Sequence, residues 1–250
     1  MSDSSANVLL VIPCFRESGR VGALLRDLRS EFAGDSSVRV LLVDDGSGEG
    51  EAERLREVVK HCGCDYEVHV LPVNQGKGGA VYAGWAQHRG EEWLAFVDAD
   101  GSCSAREVRR LISMRDGGAV FGSRILMLGR SIQRHWHRHL IGRVFATLVG
   151  TLLGLPVYDS QCGLKVVARK AYERVRPLLS MKGFSFDVEL LSALWDSRCP
   201  MREEPIDWHE VPGGKVKLFH DSWRMFRDVL RVRAARSSAE WQSLCSEKQS

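Results

Sequence analysis

Asp98-Ala99-Asp100 sets two carboxylates around one small residue, directly after the apolar run Trp93–Val97. Carboxylates delivered by a buried strand are costly to desolvate unless a cation balances them. Hard oxygen donors of this kind suit magnesium or manganese, and such an ion also bridges the oxygens of a diphosphate. A plainer duty for one of the two, capping a helix, needs a single oxygen. Asp44-Asp45-Gly46-Ser47 ends another apolar run. Asp-Gly is a common turn pair, but beside Asp98 and Asp100 these carboxylates become candidates for accepting bonds from the N–H and O–H groups of a nucleobase or ribose. Asn74-Gln75-Gly76-Lys77-Gly78-Gly79-Ala80 has the composition of a phosphate-binding loop, yet lacks the spacing and the Ser/Thr of the ATPase motif.

The elements that must position these residues read as an α/β protein. Short β-branched runs alternate with helical patterns, the signature of a mostly parallel sheet wrapped by helices. Strands are predicted at 8–12, 38–43, 68–73, 93–97 and 119–122. Helices are predicted at 19–32, 51–61 and 80–88, with a turn at 75–79 and a further helix from Ser104, where Glu107 stands as the capping-box partner. In the second half the pattern gives helices at 139–154, 169–175 and 186–197 and strands at 163–167 and 201–206. The chemical segments 13–17, 44–47, 75–79 and 98–102 all follow predicted strands. Ligands of open α/β sheets bind in the crevice outside strand carboxyl ends, so the segments are expected to form one site. One unit is expected over 1–218, then an amphipathic helix at 219–236 and a flexible polar tail at 237–250.

Composition narrows the function classes. A chain of 250 residues with 44% hydrophobic content can bury one sizeable core. Its seven cysteines form no CxxC pair and the start is short and polar, which reads as a reduced, cytoplasmic chain with no signal peptide. The longest apolar run, 144–157, is interrupted by Gly, Thr and Pro and falls short of the roughly 20 residues a spanning helix needs. The net charge of +3 is unevenly spread: residues 1–120 hold 14 basic and 19 acidic side chains, residues 121–250 hold 21 and 13. No acid occurs over 117–158, where Arg124, Arg130, Arg134, Arg138 and Arg143 lie, so an anion is expected to dock there. Nucleic acid is not the expected partner, because no stacking motif accompanies the arginines.

The order of segments resembles glycosyltransferase family 2: Ile12-Pro13-Cys14-Phe15-Arg16-Glu17, Val43-Asp44-Asp45-Gly46-Ser47, Asn74-Gln75-Gly76-Lys77-Gly78, Asp98-Ala99-Asp100 and Gly122-Ser123-Arg124. Three further segments are similar to its polyprenyl- and dolichyl-phosphate branch: Asp159-Ser160-Gln161-Cys162-Gly163-Leu164-Lys165, Phe184-Ser185-Phe186-Asp187-Val188-Glu189 and Trp208-His209-Glu210-Val211-Pro212-Gly213-Gly214-Lys215-Val216. The resemblance implies a Rossmann-like, A-type glycosyltransferase fold and a metal-dependent, inverting hexosyltransferase. Its donor would be a UDP- or GDP-hexose, its metal Mg2+ or Mn2+, and its acceptor a polyprenyl or dolichyl phosphate at the cytosolic membrane face. By position it implies that Pro13, Phe15, Glu17, Asp44 or Asp45, Gly76 and Lys77 hold the donor together with Asp98 and Ala99. Asp98 and Asp100 would hold the metal, and Ser123, Arg124, Arg143, Gln161 and Lys165 the acceptor phosphate. The mannosyl enzymes often place a glutamine where this chain has Ser102, which points to the glucosyl branch.

A polyprenyl phosphate is already ionised at neutral pH and needs no strong general base; it needs cations, and arginine's planar fork suits phosphate. Were the acceptor a soluble or polysaccharide hydroxyl, a carboxylate base would be required, with Asp187 or Asp159 as candidates, against pairing with Lys165 or the arginines as their structural alternative. No Gln-x-x-Arg-Trp segment of the processive synthases is present. A lipid acceptor also implies peripheral membrane contact. Helix 139–154 and the segment 223–236 have the pattern for it, the latter with Trp223, Met225, Phe226, Val229, Leu230 and Val232 opposite Arg224, Arg227 and Arg231. The same pattern serves a helix packed on its own core.

Overall fold

The computed structural model describes residues 7–125, 127, 129–133, 149–209, 211 and 218–246. Its centre is a seven-stranded sheet in the order β3-β2-β1-β4-β7-β5-β8. The strands are β1 (Val8–Cys14), β2 (Val38–Asp44), β3 (Glu67–Val70), β4 (Trp93–Val97), β5 (Ala119–Ser123), β7 (Leu164–Ala168) and β8 (Met201–Pro205). All neighbours pair in parallel except around β7, which runs antiparallel to both β4 and β5. A second, two-stranded sheet, not anticipated, joins β6 (Ile132–Gln133) to β9 (Trp208–His209).

The continuous apolar run of β1 is explained by burial on both faces, as parallel strands require. Val8, Leu10 and Ile12 enter one core with helices α1 (Val21–Glu31), α2 (Glu51–His61) and α4 (Ala105–Ser113), through Leu24, Leu25, Leu28, Leu55 and Val108. Leu9 and Val11 point the other way, into a core with Val81 and Trp85 of α3 (Lys77–Trp85) and Phe186, Leu190 and Leu194 of the helix Phe186–Asp196. A one-residue slip of β1 would exchange the two cores. Each fully buried leucine here contributes about 1.5–3 kcal/mol.

Among the predicted boundaries, those of β3 and α3 move for identifiable reasons. β3 ends at Val70 rather than 73, since Pro72 has no N–H for a ladder. α3 begins at Lys77, so Gly78 and Gly79 belong to a helix and not to the expected turn. A side chain on Gly78 would strike the Phe186 ring, and one on Gly79 would strike Gln75, which is why both are glycine. At α4, Ser104 Oγ accepts from the Glu107 backbone N–H, but Glu107 does not complete the capping box. Its carboxylate pairs instead with Arg110 at 2.7 Å and Arg130 at 3.0 Å.

The chain end also departs from expectation. Residues 237–250, expected as a frayed tail, contain the helix Ala239–Ser246, whose Trp241 is buried and donates through Nε1 to Asp196 at 2.8 Å. In the preceding helix, Leu218–Arg236, Val229 and Val232 turn inward onto Val149, Leu153, Leu155 and Val188. That part of the apolar stripe is therefore committed to the protein core and is not free for a bilayer. Among the described residues no helix is long and apolar enough to cross a membrane.

Candidate active site

Parallel pairing brings the carboxyl ends of β1, β2 and β4 to one edge, with Cys14 opposite Asp44 and the Asp45 N–H bonded to the Cys14 carbonyl at 2.7 Å. A cleft of about 390 Å³ opens there, lined among others by Pro13, Phe15, Glu17, Asp45, Gly76, Lys77, Asp98, Ala99 and Asp100. Its size falls in the range of small-ligand sites, roughly 300–1,000 Å³. The four expected segments thus form one site.

Asp45 is the hub of one end of the cleft. It accepts from the backbone N–H of Gln75 at 2.7 Å and of Gly76 at 2.8 Å, and from Asn74 Nδ2 at 3.0 Å. Burial raises its pKa against the pull of these N–H groups. Gly46, at φ +62°, packs its Cα against the Val73–Asn74 backbone, leaving no room for a side chain. Asp44 is buried and accepts the Ser47 hydroxyl, so it supports the turn instead of lining the cleft.

The other end of the cleft is built from β4 and α3. Lys77, the first residue of α3, places Nζ 2.7 Å from Asp98 Oδ1, with side-chain exposures of 14% and 36%. Burial lowers the Lys77 pKa, and the charges of Asp98 and Asp187 more than restore it. Asp98 is tied in place by its backbone N–H to the Gly163 carbonyl at 2.9 Å, and a Cβ on Gly163 would collide with its carboxylate. Asp100 Oδ1 accepts from the Ser102 N–H at 3.0 Å. Among the described residues Asp100, unlike Glu17 and Asp98, has no ion pair.

This donor set fits a divalent ion: two hard carboxylates, one of them without a cation, open to a cleft. No group of three or more potential protein ligands occurs among the described residues. Coordination there would be completed by ligand oxygens and water, as magnesium favours.

Among the cleft residues to which the sequence reading gave no site role are Arg20 and Phe184. Arg20 pairs with Glu17, which raises the Arg20 pKa, as do the charges of Asp100 and Asp98. Among the described residues its buried Nη1 has no hydrogen-bond partner, a spare donor at the cleft. The signal was the i,i+3 spacing from Glu17. Phe184 lines the mouth and is exposed.

The second-half residues separate. Arg124 clamps Asp159 through Nε at 2.6 Å, Nη2 at 2.8 Å and the backbone N–H at 3.0 Å. Burial pushes the Asp159 carboxyl up, but Arg124 outweighs it and holds the group near a pKa of about 2. Ser123, at the end of β5, is buried with its hydroxyl unpartnered among the described residues, and Gln161 is half-buried. Lys165, expected at the acceptor phosphate, lies instead within the sheet: it is on a central strand and its Nζ sits 2.6 Å from Asp187 Oδ1. Asp187 is equally buried, and burial raises its pKa despite Lys165 and Lys77. Arg143 lies outside the described residues.

Residues 9–176 match the family model described as glycosyl transferase family 2. Dolichyl-phosphate beta-glucosyltransferase of Saccharomyces cerevisiae is 32% identical, over 93% of this chain and 76% of its own length. The Homo sapiens protein of that name is 29% identical over the same shares, 93% and 76%. Among solved structures, glucosyl-3-phosphoglycerate synthase from Mycobacterium tuberculosis, in complex with Mn2+, uridine diphosphate and glucosyl-3-phosphoglycerate, matches with a TM-score of 0.63 at 18% identity, covering 98% of this chain and 82% of that one. Mannosyl-3-phosphoglycerate synthase from Rubrobacter xylanophilus also gives 0.63 at 18% identity, covering 92% and 74%. At these identities the structural likeness establishes a common fold.

Proposed function

Because the chain belongs to glycosyltransferase family 2, we propose that it transfers glucose from UDP-glucose to dolichyl or a related polyprenyl phosphate, with inversion at the sugar carbon. The observation that carries this reading is the cleft that joins a carboxylate hub, Asp45, to the open Lys77–Asp98 pair and Asp100. The relatives named as dolichyl-phosphate beta-glucosyltransferases supply the sugar and acceptor.

In this reading Pro13, Phe15, Glu17 and Asp45 hold the uridine, and Lys77 and the spare Nη1 of Arg20 bind the diphosphate. Asp98 and Asp100 would hold Mg2+ or Mn2+, whose chemistry is to offset charge on the departing diphosphate. The acceptor phosphate oxygen attacks the anomeric carbon, the bond to the diphosphate breaks with its electron pair leaving on UDP, and no proton need move. In-line displacement inverts the centre. Arg124 orients the acceptor phosphate: Nε and Nη2 are committed to Asp159, while Nη1, which has no hydrogen bond among the described residues, is offered to an anion.

The hydroxyl-acceptor alternative is disfavoured by its own candidate bases. Asp159, held near a pKa of about 2, is too weakly basic, and Asp187 is sealed against Lys165. Membrane contact is supported by exposed side chains on loops at the cleft edge of the sheet: Val73, Met127, Tyr158 and Phe184. We take them as an apolar rim through which a lipid phosphate would enter, on the cytosolic face; of the four, Phe184 lines the cleft itself.

The test is to incubate the protein with Mn2+, a panel of labelled nucleotide sugars, and either dolichyl phosphate or soluble acceptors. Label from UDP-glucose should pass into the organic phase as a β-linked product by anomeric NMR coupling. Transfer to water-soluble acceptors alone, or an α-linked product, contradicts the reading.

A further inference from the structure

Lys165 is a charged residue in the interior of a sheet. It lies on β7 between β4 and β5, with side-chain exposure of 1% against 2% for its partner Asp187. Its Nζ also donates to the Cys162 carbonyl at 2.8 Å and stands 5.4 Å from the centre of the Phe96 ring. Lys77 Nζ lies 5.3 Å from the centre of that same ring. Two lysines and two carboxylates are thus gathered around Phe96, and Asp187 acts on Lys77 as well as on Lys165.

A buried carboxylate without a cation draws the nearest one available. For Asp187 that second cation is Lys77, whose four-carbon stem can swing. We propose that Lys165 is a positioning residue: by occupying Asp187 it keeps Lys77 on Asp98, where the donor diphosphate binds. Its bond to Cys162 serves the same end, because the next residue, Gly163, holds the Asp98 backbone and leaves space for its carboxylate. The proposal rests on the donor-site reading of Lys77 and Asp98, and requires no contact between Lys165 and any substrate.

A cycle of variants tests it by UDP titration calorimetry in the presence of Mn2+, with melting temperature followed in parallel. Lys165→Met and Lys77→Met should each weaken UDP at least about tenfold, and the double variant should bind no worse than Lys77→Met alone, since one acts through the other. Additive losses overturn the proposal, as does an unchanged UDP affinity in Lys165→Met; a merely structural lysine would move the melting temperature without this non-additivity. Should Lys165→Met not fold, Lys165→Met/Asp187→Leu removes the buried pair together. That variant should bind UDP within about threefold of the wild type, and a loss as large as that of Lys77→Met contradicts the role. A wild type that binds no UDP refutes the donor-site reading itself, and this proposal with it.

Discussion

Two lysine–aspartate pairs among the described residues are of nearly equal length and lie in opposite surroundings. Lys77 and Asp98 meet at 2.7 Å at the cleft, with Asp98 36% exposed, whereas Lys165 and Asp187 meet at 2.6 Å with almost no exposure. An ammonium and a carboxylate that face a cleft can each exchange the other for a ligand. Sealed in the sheet, the same groups cannot, because breaking the pair strands a buried charge. Residue type therefore does not tell a ligand contact from a support; access does. Arg124–Asp159 stands between the extremes, with side-chain exposures of 16% and 14% and one guanidinium nitrogen unpaired among the described residues.

Short of removing a metal-site carboxylate, the largest effect should come from disturbing the open pair without touching it. Gly163→Ala puts a methyl against the Asp98 carboxylate, and kcat/KM for glucosyl transfer should fall roughly 100-fold, the scale of a misplacement of about 1 Å at a reacting centre. Melting temperature should change far less than activity; equal losses in both would mean that Gly163 serves only packing.

A smaller effect separates the intermediate pair by pH. Asp159 has its pKa depressed from 3.8 to about 2 in the folded chain. Its pairing therefore stabilises the fold fully above the unfolded value and is lost as pH falls through the folded one. The contribution is about 2 kcal/mol. Urea unfolding of wild type and Asp159→Asn should show a stability gap that is constant above pH 4 and closes as pH falls towards 2. A gap independent of pH would remove the ion pair as its cause.

The smallest effect concerns the rim beside the open pair. Met127→Ser/Tyr158→Ser should reduce partition onto phospholipid vesicles several-fold, about 1 kcal/mol or somewhat more for two exposed apolar side chains, and leave UDP affinity unchanged, since neither lines the cleft. Unaltered sedimentation with vesicles would assign the lipid-facing surface elsewhere.

These contrasts explain what the sequence could reveal. The strands and the cleft were legible because each apolar run stops at a chemical residue: β2 at Asp44, β4 just before Asp98. The start of α3 was not, because glycine reads as a turn, while Gly78 and Gly79 are glycine for close packing on Phe186 and Gln75. Lys165 was misplaced because Leu164-Lys165-Val166-Val167 gives no sign that a helix distant in sequence brings Asp187 to it. Polar residues around Trp241 likewise concealed a docked helix whose anchor, Asp196, belongs to another element.

The central claim, that the open pair and Asp100 form the donor site of a lipid-directed glucosyltransferase, is tested most directly by one turnover measurement. Purified protein is mixed with labelled UDP-glucose, Mn2+ and dolichyl phosphate, quenched and partitioned, beside Asp100→Asn of the same fold by circular dichroism. Label should enter the organic phase with the wild type and fall by at least about 1,000-fold with Asp100→Asn, the order expected when the principal charge stabilising a leaving group is lost. Lipid-linked label undiminished in Asp100→Asn, or none with the wild type, would contradict the account.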